Sequence, residues 1–206
     1  MLLKHNFADE ALPHLLELRK RHDQPELLVD LAQAWRKSGE PDQAMRVIEE
    51  LLANHPTYAD ALAERGVLEK EAGRLEQAEA SLREAFRLDH TSYHIGYHLY
   101  ECLGARGKSD EAAQLWDHLK EMKEDRARIR RIAMEVSKLS KAPELRYEAG
   151  MLCLRQDLDD EGVRWLFSAL QDDPNHSPTH AALAGYYERH NQPEPAAYHR
   201  RRAEGR

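Results

Sequence analysis

The chain has 206 residues, of which 33% are charged, and a formal net charge of −7. Its mean hydropathy of −0.79 is low for a sphere and suits a chain with a high ratio of surface to volume. The acidity argues against a general nucleic-acid binder, whose footprint is basic, and no apolar run approaches the ~20 residues that cross a bilayer. Neither nucleic acid nor membrane insertion is therefore expected.

The opening stretch, residues 1–24, predicts a partial unit. Met1 to Asp9 lack the apolar run of a signal peptide, which favours the cytoplasm if Met1 is the natural start. Asn6 is placed to end a first helix and Asp9-Glu10-Ala11 to open a second, leaving Leu12, Leu15 and Leu16 poorly covered. Such a half-unit points to a chain cut from something longer, with an unusual cap at a natural end as the alternative.

From residue 25 onward the sequence repeats. Gly39, Gly73 and Gly107 recur at intervals of thirty-four, and so do Ala44, Ala78 and Ala112. A fixed period in this range predicts stacked units rather than one globular core. In the unit 25–58, Leu28, Leu31, Ala32 and Trp35 share one helix face. Gly39 closes that helix, Asp42 suits the first turn of the next, and Ala44, Ile48 and Leu51 form its inner face. Pro56 ends the unit. Units 59–92 and 93–126 follow in register.

The register breaks between Glu124 and Pro143, where flanking units start fifty residues apart, so sixteen residues (127–142) are inserted. Ile129, Ile132, Ala133, Val136 and Leu139 keep helical spacing, and no Gly or Pro interrupts 110–142. This predicts one long helix over about 110–140; a kink with a separate packed helix is the alternative. Units 143–176 and 177–206 complete the chain, with Arg200, Arg201 and Arg202 marking a solvent-facing cap. Cys102 and Cys153 read as small core residues.

The pattern resembles the tetratricopeptide repeat (TPR) family. Small residues stand at the eighth and twentieth positions of the units as Ala32 and Ala44, Gly66 and Ala78, Gly150 and Gly162, Ala184 and Ala196. Gly39, Gly73, Gly107, Asp157 and Asn191 take the helix-ending position, where Asp and Asn are the next best choices after glycine. Pro56 and Pro174 close units as the family's proline does. The resemblance implies an all-α fold, a right-handed TPR-type α-solenoid of antiparallel helix pairs with one long inserted helix, spanning 1–206 as a single array. It implies a non-catalytic scaffold without a cofactor, whose concave face, lined by the first helices, holds a protein or peptide.

On that face the resemblance places Val29, Gln33 and Arg36; Ala63, Val67 and Lys70; His94, Tyr97 and Glu101; and Tyr147 and Met151. Val29 and Gln33 stand where the family's carboxylate clamp has Lys and Asn, so a co-chaperone that reads chaperone tails is not expected. Tyr and Met suit adaptable contact with a peptide or helix; packing against the adjacent helix is their other reading.

Three further groups carry chemistry. His90, His94 and His98 are four apart, a spacing that can hold a metal. No second pair or carboxylate triad accompanies them, so they read as structural or groove-lining, and no metal site is expected. Arg126, Arg128, Arg130 and Arg131 form a second candidate surface, either for an acidic partner or as a solvated face balanced by Glu121, Glu124 and Asp125. Arg65 and Glu69 stand where the family has apolar residues and are placed to pair with each other. Two other functional classes stay open. Asp160 to Leu166 and Tyr186 to Arg189 resemble bacterial TPR tails, which would suit a docking or dimerisation region of a larger bacterial enzyme or multihaem cytochrome. A self-associating assembly factor, and hence a homo-oligomer, is the other.

Overall fold

A computed structural model describes residues 2–21 and 24–205, with side chains from residue 8 onward. The described residues form eleven helices and no strand: α1 (Leu2–Arg19), α2 (Pro25–Lys37), α3 (Pro41–Asn54), α4 (Ala59–Glu71), α5 (Leu75–Leu88), α6 (Tyr93–Ala105), α7 (Ser109–Val136), α8 (Pro143–Arg155), α9 (Asp159–Asp172), α10 (Ser177–Arg189) and α11 (Pro193–Ala203). Most are too short to persist alone in water, so packing between neighbours maintains them. Successive helices pair: α2 on α3, α4 on α5, α8 on α9 and α10 on α11.

The turn inside each pair follows directly from sequence. Gly39, Gly73 and Gly107 have φ of 86°, 76° and 73°, and Asp157 and Asn191, at 54° and 56°, take the same left-handed conformation. That geometry lets the following amide reach back: Glu40 N donates to the Trp35 carbonyl at 2.9 Å and Arg74 N to that of Glu69 at 2.9 Å. The small residues lie where paired helices cross. A methyl group added at Gly66 would sit 2.5 Å from Leu82 Cγ. In the fourth unit Gly150 and Gly162 face each other, each backbone within about 3 Å of where the other's Cβ would be. No side chain fits there without pushing the helices apart.

The chain divides into two compact units, residues 1–119 and 120–206, with the boundary inside α7. The 16-residue insertion of the repeat pattern follows this boundary. It extends one helix to 28 residues, so that its amino half packs in the first unit and its carboxyl half in the second. Leu119 lies against Gly96 in the first unit. In the second, Ile132 and Val136 join Ala142 and Ala149 in a core that Leu145, Leu152 and Trp165 flank. α7 ends at Val136, short of the expected 140, and Leu139 lies beyond it, 49% exposed. Pro143, which cannot donate to a helix, opens α8 instead.

At the amino end the expected break at Asn6 is absent, because α1 runs unbroken from Leu2 to Arg19. Asparagine in a helix interior costs less than about 1 kcal/mol relative to alanine. Of the leucines expected to lack cover, Leu12 is buried, Leu15 packs on the core of the first unit, and Leu16 stays 37% exposed. Cys102 and Cys153 are free and fully buried. Burial pushes the Cys153 thiol up to about 12, which suits a core residue.

Candidate functional site

In the first unit, α2, α4 and α6 lie side by side as the successive first helices of three repeats. Three of the residues placed on their common face are not available to a ligand. Val29, Ala63 and Val67 are 6%, 3% and 3% exposed and belong to the core. Helical spacing places them on the face expected to meet a ligand, but packing within the first unit removes these apolar positions from water.

The charged members of the row tie the helices together. Arg36 on α2 donates through Nε to Glu64 Oε1 at 2.5 Å and through Nη1 to Glu71 Oε1 at 2.8 Å, both on α4. Glu64 is 2% exposed, so this carboxylate depends on its arginine. Lys70 on α4 donates to Glu101 Oε2 on α6 at 2.7 Å. Gln33 is half-buried. Arg65 and Glu69 lie 4.0 Å apart, and Ser81 links them more closely: Arg65 Nε donates to Ser81 Oγ at 3.0 Å, and that hydroxyl donates to Glu69 Oε2 at 2.7 Å.

The aromatic side chains of the row concentrate on α6. Tyr97 stacks on Tyr93 at 6.2 Å between ring centroids and lies 6.0 Å from Tyr100 and 6.5 Å from Trp116. Tyr100 and Trp116 approach to 5.0 Å. They line a cavity of about 560 Å³ with Glu101, Gly104, Ser109, Ala112 and Ala113. Trp116 is 37% exposed. Trp116 is absent from the sequence reading, although the repeat register carries a signal for it. Tyr100 occupies the position of Ala32, Gly66, Gly150 and Ala184, and Trp116 that of Ile48, Leu82 and Leu166. Those three aliphatic residues are fully buried. In this repeat the small residue moves one turn back, to Gly96, where an added methyl would meet Leu119 at 2.6 Å. The close helix approach moves with it, and bulky aromatics replace the usual tight crossing.

The histidines of α6 adjoin this patch. His94 is exposed and His98 half-buried, with their Nε2 atoms 3.1 Å apart. His98 Nδ1 faces Glu101 Oε2 at 3.4 Å. Burial, then the charges of His94 and Lys70, lower the His98 imidazole to about 4. Among the described residues no group of three or more His, Cys, Asp or Glu converges to hold a metal.

The second unit carries the remaining candidates. Tyr147 on α8 is half-buried, 5.7 Å from the His176 ring. Met151 is 39% exposed and borders a cavity of about 710 Å³ with Arg155, Asp159, Arg189 and His190. Of the arginines on α7, Arg128 grips Glu148 on α8 through two hydrogen bonds of 2.6 Å. Arg126 is half-buried, while Arg130 and Arg131 are exposed beside Met134. Asp125 does not balance this cluster. It is buried, pairs with Arg155, and accepts from Gln156 Nε2 at 2.7 Å. The one-turn spacing that suggested balance within α7 gives way to pairing across helices. Among the described residues no helix is long and apolar enough to cross a membrane.

No family model and no curated protein matches the sequence. Solved structures do match. The crystal structure of the APC/C hetero-tetramer Cut9–Hcn1 aligns over 97% of this chain and 37% of that one, at 15% identity and a TM-score of 0.53. YrrB, described as a TPR protein with an unusual peptide-binding site, aligns over 93% and 91% at 15% identity and a TM-score of 0.49. MamA from Desulfovibrio magneticus RS-1 aligns over 89% and 95% at 15% identity and a TM-score of 0.45. With its repeated helix pairs, its left-handed turn residues and no strand among the described residues, the chain has the fold of the TPR proteins.

Proposed function

We propose that this chain is a protein- or peptide-binding TPR scaffold that binds rather than transforms its partner, and that the aromatic patch on α6 and α7 is its anchor. The observation that carries this reading is the exposed Trp116 over Tyr100 and Tyr97 at an open cavity. Aromatic side chains bring large contact area at small entropic cost and dominate binding hot spots. Ordinary repeat packing would bury a leucine at Trp116 and place a glycine or alanine at Tyr100. An apolar segment laid along α6 would cover Tyr97 and Trp116 together, with Gln33 toward one end of the row. Arg36, Lys70 and Glu101 then act by fixing the helices rather than by contacting the ligand. Tyr147 and Met151 form a separate candidate patch on α8.

The test starts from peptides selected by display against the wild-type chain. Their affinities are then measured against Trp116→Ala and Tyr100→Ala, with Arg130→Glu/Arg131→Glu as the control for the second surface. A hot-spot aromatic is worth 2 kcal/mol or more, so a loss of roughly thirtyfold is expected at Trp116. Affinity that survives at Trp116 and falls in the arginine variant would move the site to α7's basic surface.

A further inference from the structure

We infer that His94 and His98 form a divalent transition-metal site on α6, of the imidazole type that suits Cu(II), Ni(II) or Zn(II). The inference is independent of the peptide-binding reading. Residues four apart on a helix stand one above the other on the same face, and here the two Nε2 atoms are 3.1 Å apart. With metal–nitrogen bonds of about 2.1 Å, that separation subtends an angle of roughly 95° at the metal, within reach of tetragonal and distorted tetrahedral coordination.

Spacing alone did not distinguish ligands from lining residues. The carboxylate behind His98 does. Glu101 Oε2 lies 3.4 Å from His98 Nδ1 and is held in turn by Lys70 Nζ at 2.7 Å. A carboxylate only accepts, so the Nδ1–H is directed to Glu101 and the lone pair is left at Nε2, facing His94. Metal-ligating histidines are oriented in this way by outer carboxylates. Without a metal, His94 donates its Nε2–H to His98 instead; the same atoms serve both states. The protein supplies two ligands, and water fills the remaining positions.

The experiment titrates the full chain with CuCl2, NiCl2 and ZnCl2, following thermal unfolding and the Cu(II) EPR spectrum. Copper should bind tightest, in keeping with the order of imidazole sites, and Mg(II) and Ca(II) should not shift the melt. His94→Ala, a change at an exposed position, should weaken copper binding at least tenfold and remove two-nitrogen coupling from the spectrum. Glu101→Ala should weaken it severalfold while both imidazoles remain. Copper affinity and EPR coupling unchanged in His94→Ala would assign the metal to other histidines and overturn the site.

Discussion

Glu79 on α5 offers the sharpest energetic test of how the first unit is built. Its carboxylate is 5% exposed and accepts from Arg83 Nε at 2.7 Å, Lys108 Nζ at 2.8 Å and Arg106 Nη1 at 2.5 Å. Burial alone pushes its carboxyl up, but the three cations outweigh it and bring it from 4.5 to about 2. A difference of that size corresponds to roughly 3 kcal/mol of stability at neutral pH. The cations are 25% to 45% exposed at their side chains, so solvent screening trims this to about 2–3 kcal/mol. Glu79→Gln keeps the shape and removes the charge, leaving three cations around a neutral amide. It should destabilise the first unit by about 2–3 kcal/mol at pH 7. Because the folded value lies below the unfolded one, this stability is present above about pH 4.5 and is lost as pH falls through about 2. Urea unfolding of wild type and Glu79→Gln, followed at pH 7 and pH 2.5, should show a gap that shrinks on acidification. A variant within about 0.5 kcal/mol of wild type at pH 7, or a gap independent of pH, would refute the reasoning.

Other consequences are as direct. Gly66→Val should cost about 1–3 kcal/mol by driving a branched side chain into Leu82, measurable as a lower urea midpoint with unchanged slope. Gly104→Ala should instead stabilise by about 0.5–1 kcal/mol, because Gly104 lies within α6 with nothing within 4 Å of its added methyl. In the second unit, His199 is held below its ordinary value by burial and then by His180, whose Nδ1 lies 2.8 Å from its own. The folded state resists protonation there, so the second unit should lose stability as pH drops below about 6.5. Thermal melts at pH 7.5 and 5.5 should reveal this loss, and His199→Phe should reduce it.

Much of this fold is legible in the sequence because its determinants are local. Five turn residues, three glycines with Asp157 and Asn191, announce their left-handed backbone in register, and helical spacing identifies the inner faces. Contacts between repeats are less legible. Val29 and Val67 are expected to meet a ligand yet are buried in the core. Arg36 finds Glu64, and Lys70 finds Glu101, at sequence separations of about one repeat. Only the stacking of helices selects those partners. Tyr100 and Trp116 depart from the small and aliphatic residues at their repeat positions, but whether a bulky aromatic fills a core or opens a surface depends on where α6 and α7 approach. The Gly96–Leu119 contact decides that.

The central claim is that Trp116 and its aromatic neighbours receive the partner. The chain has three tryptophans, Trp35, Trp116 and Trp165, so 5-fluorotryptophan labelling gives one 19F resonance for each. Titration with a display-selected peptide should shift the Trp116 resonance in saturable fashion while those of Trp35 and Trp165 stay in place. Binding that leaves the Trp116 resonance unmoved would contradict the account.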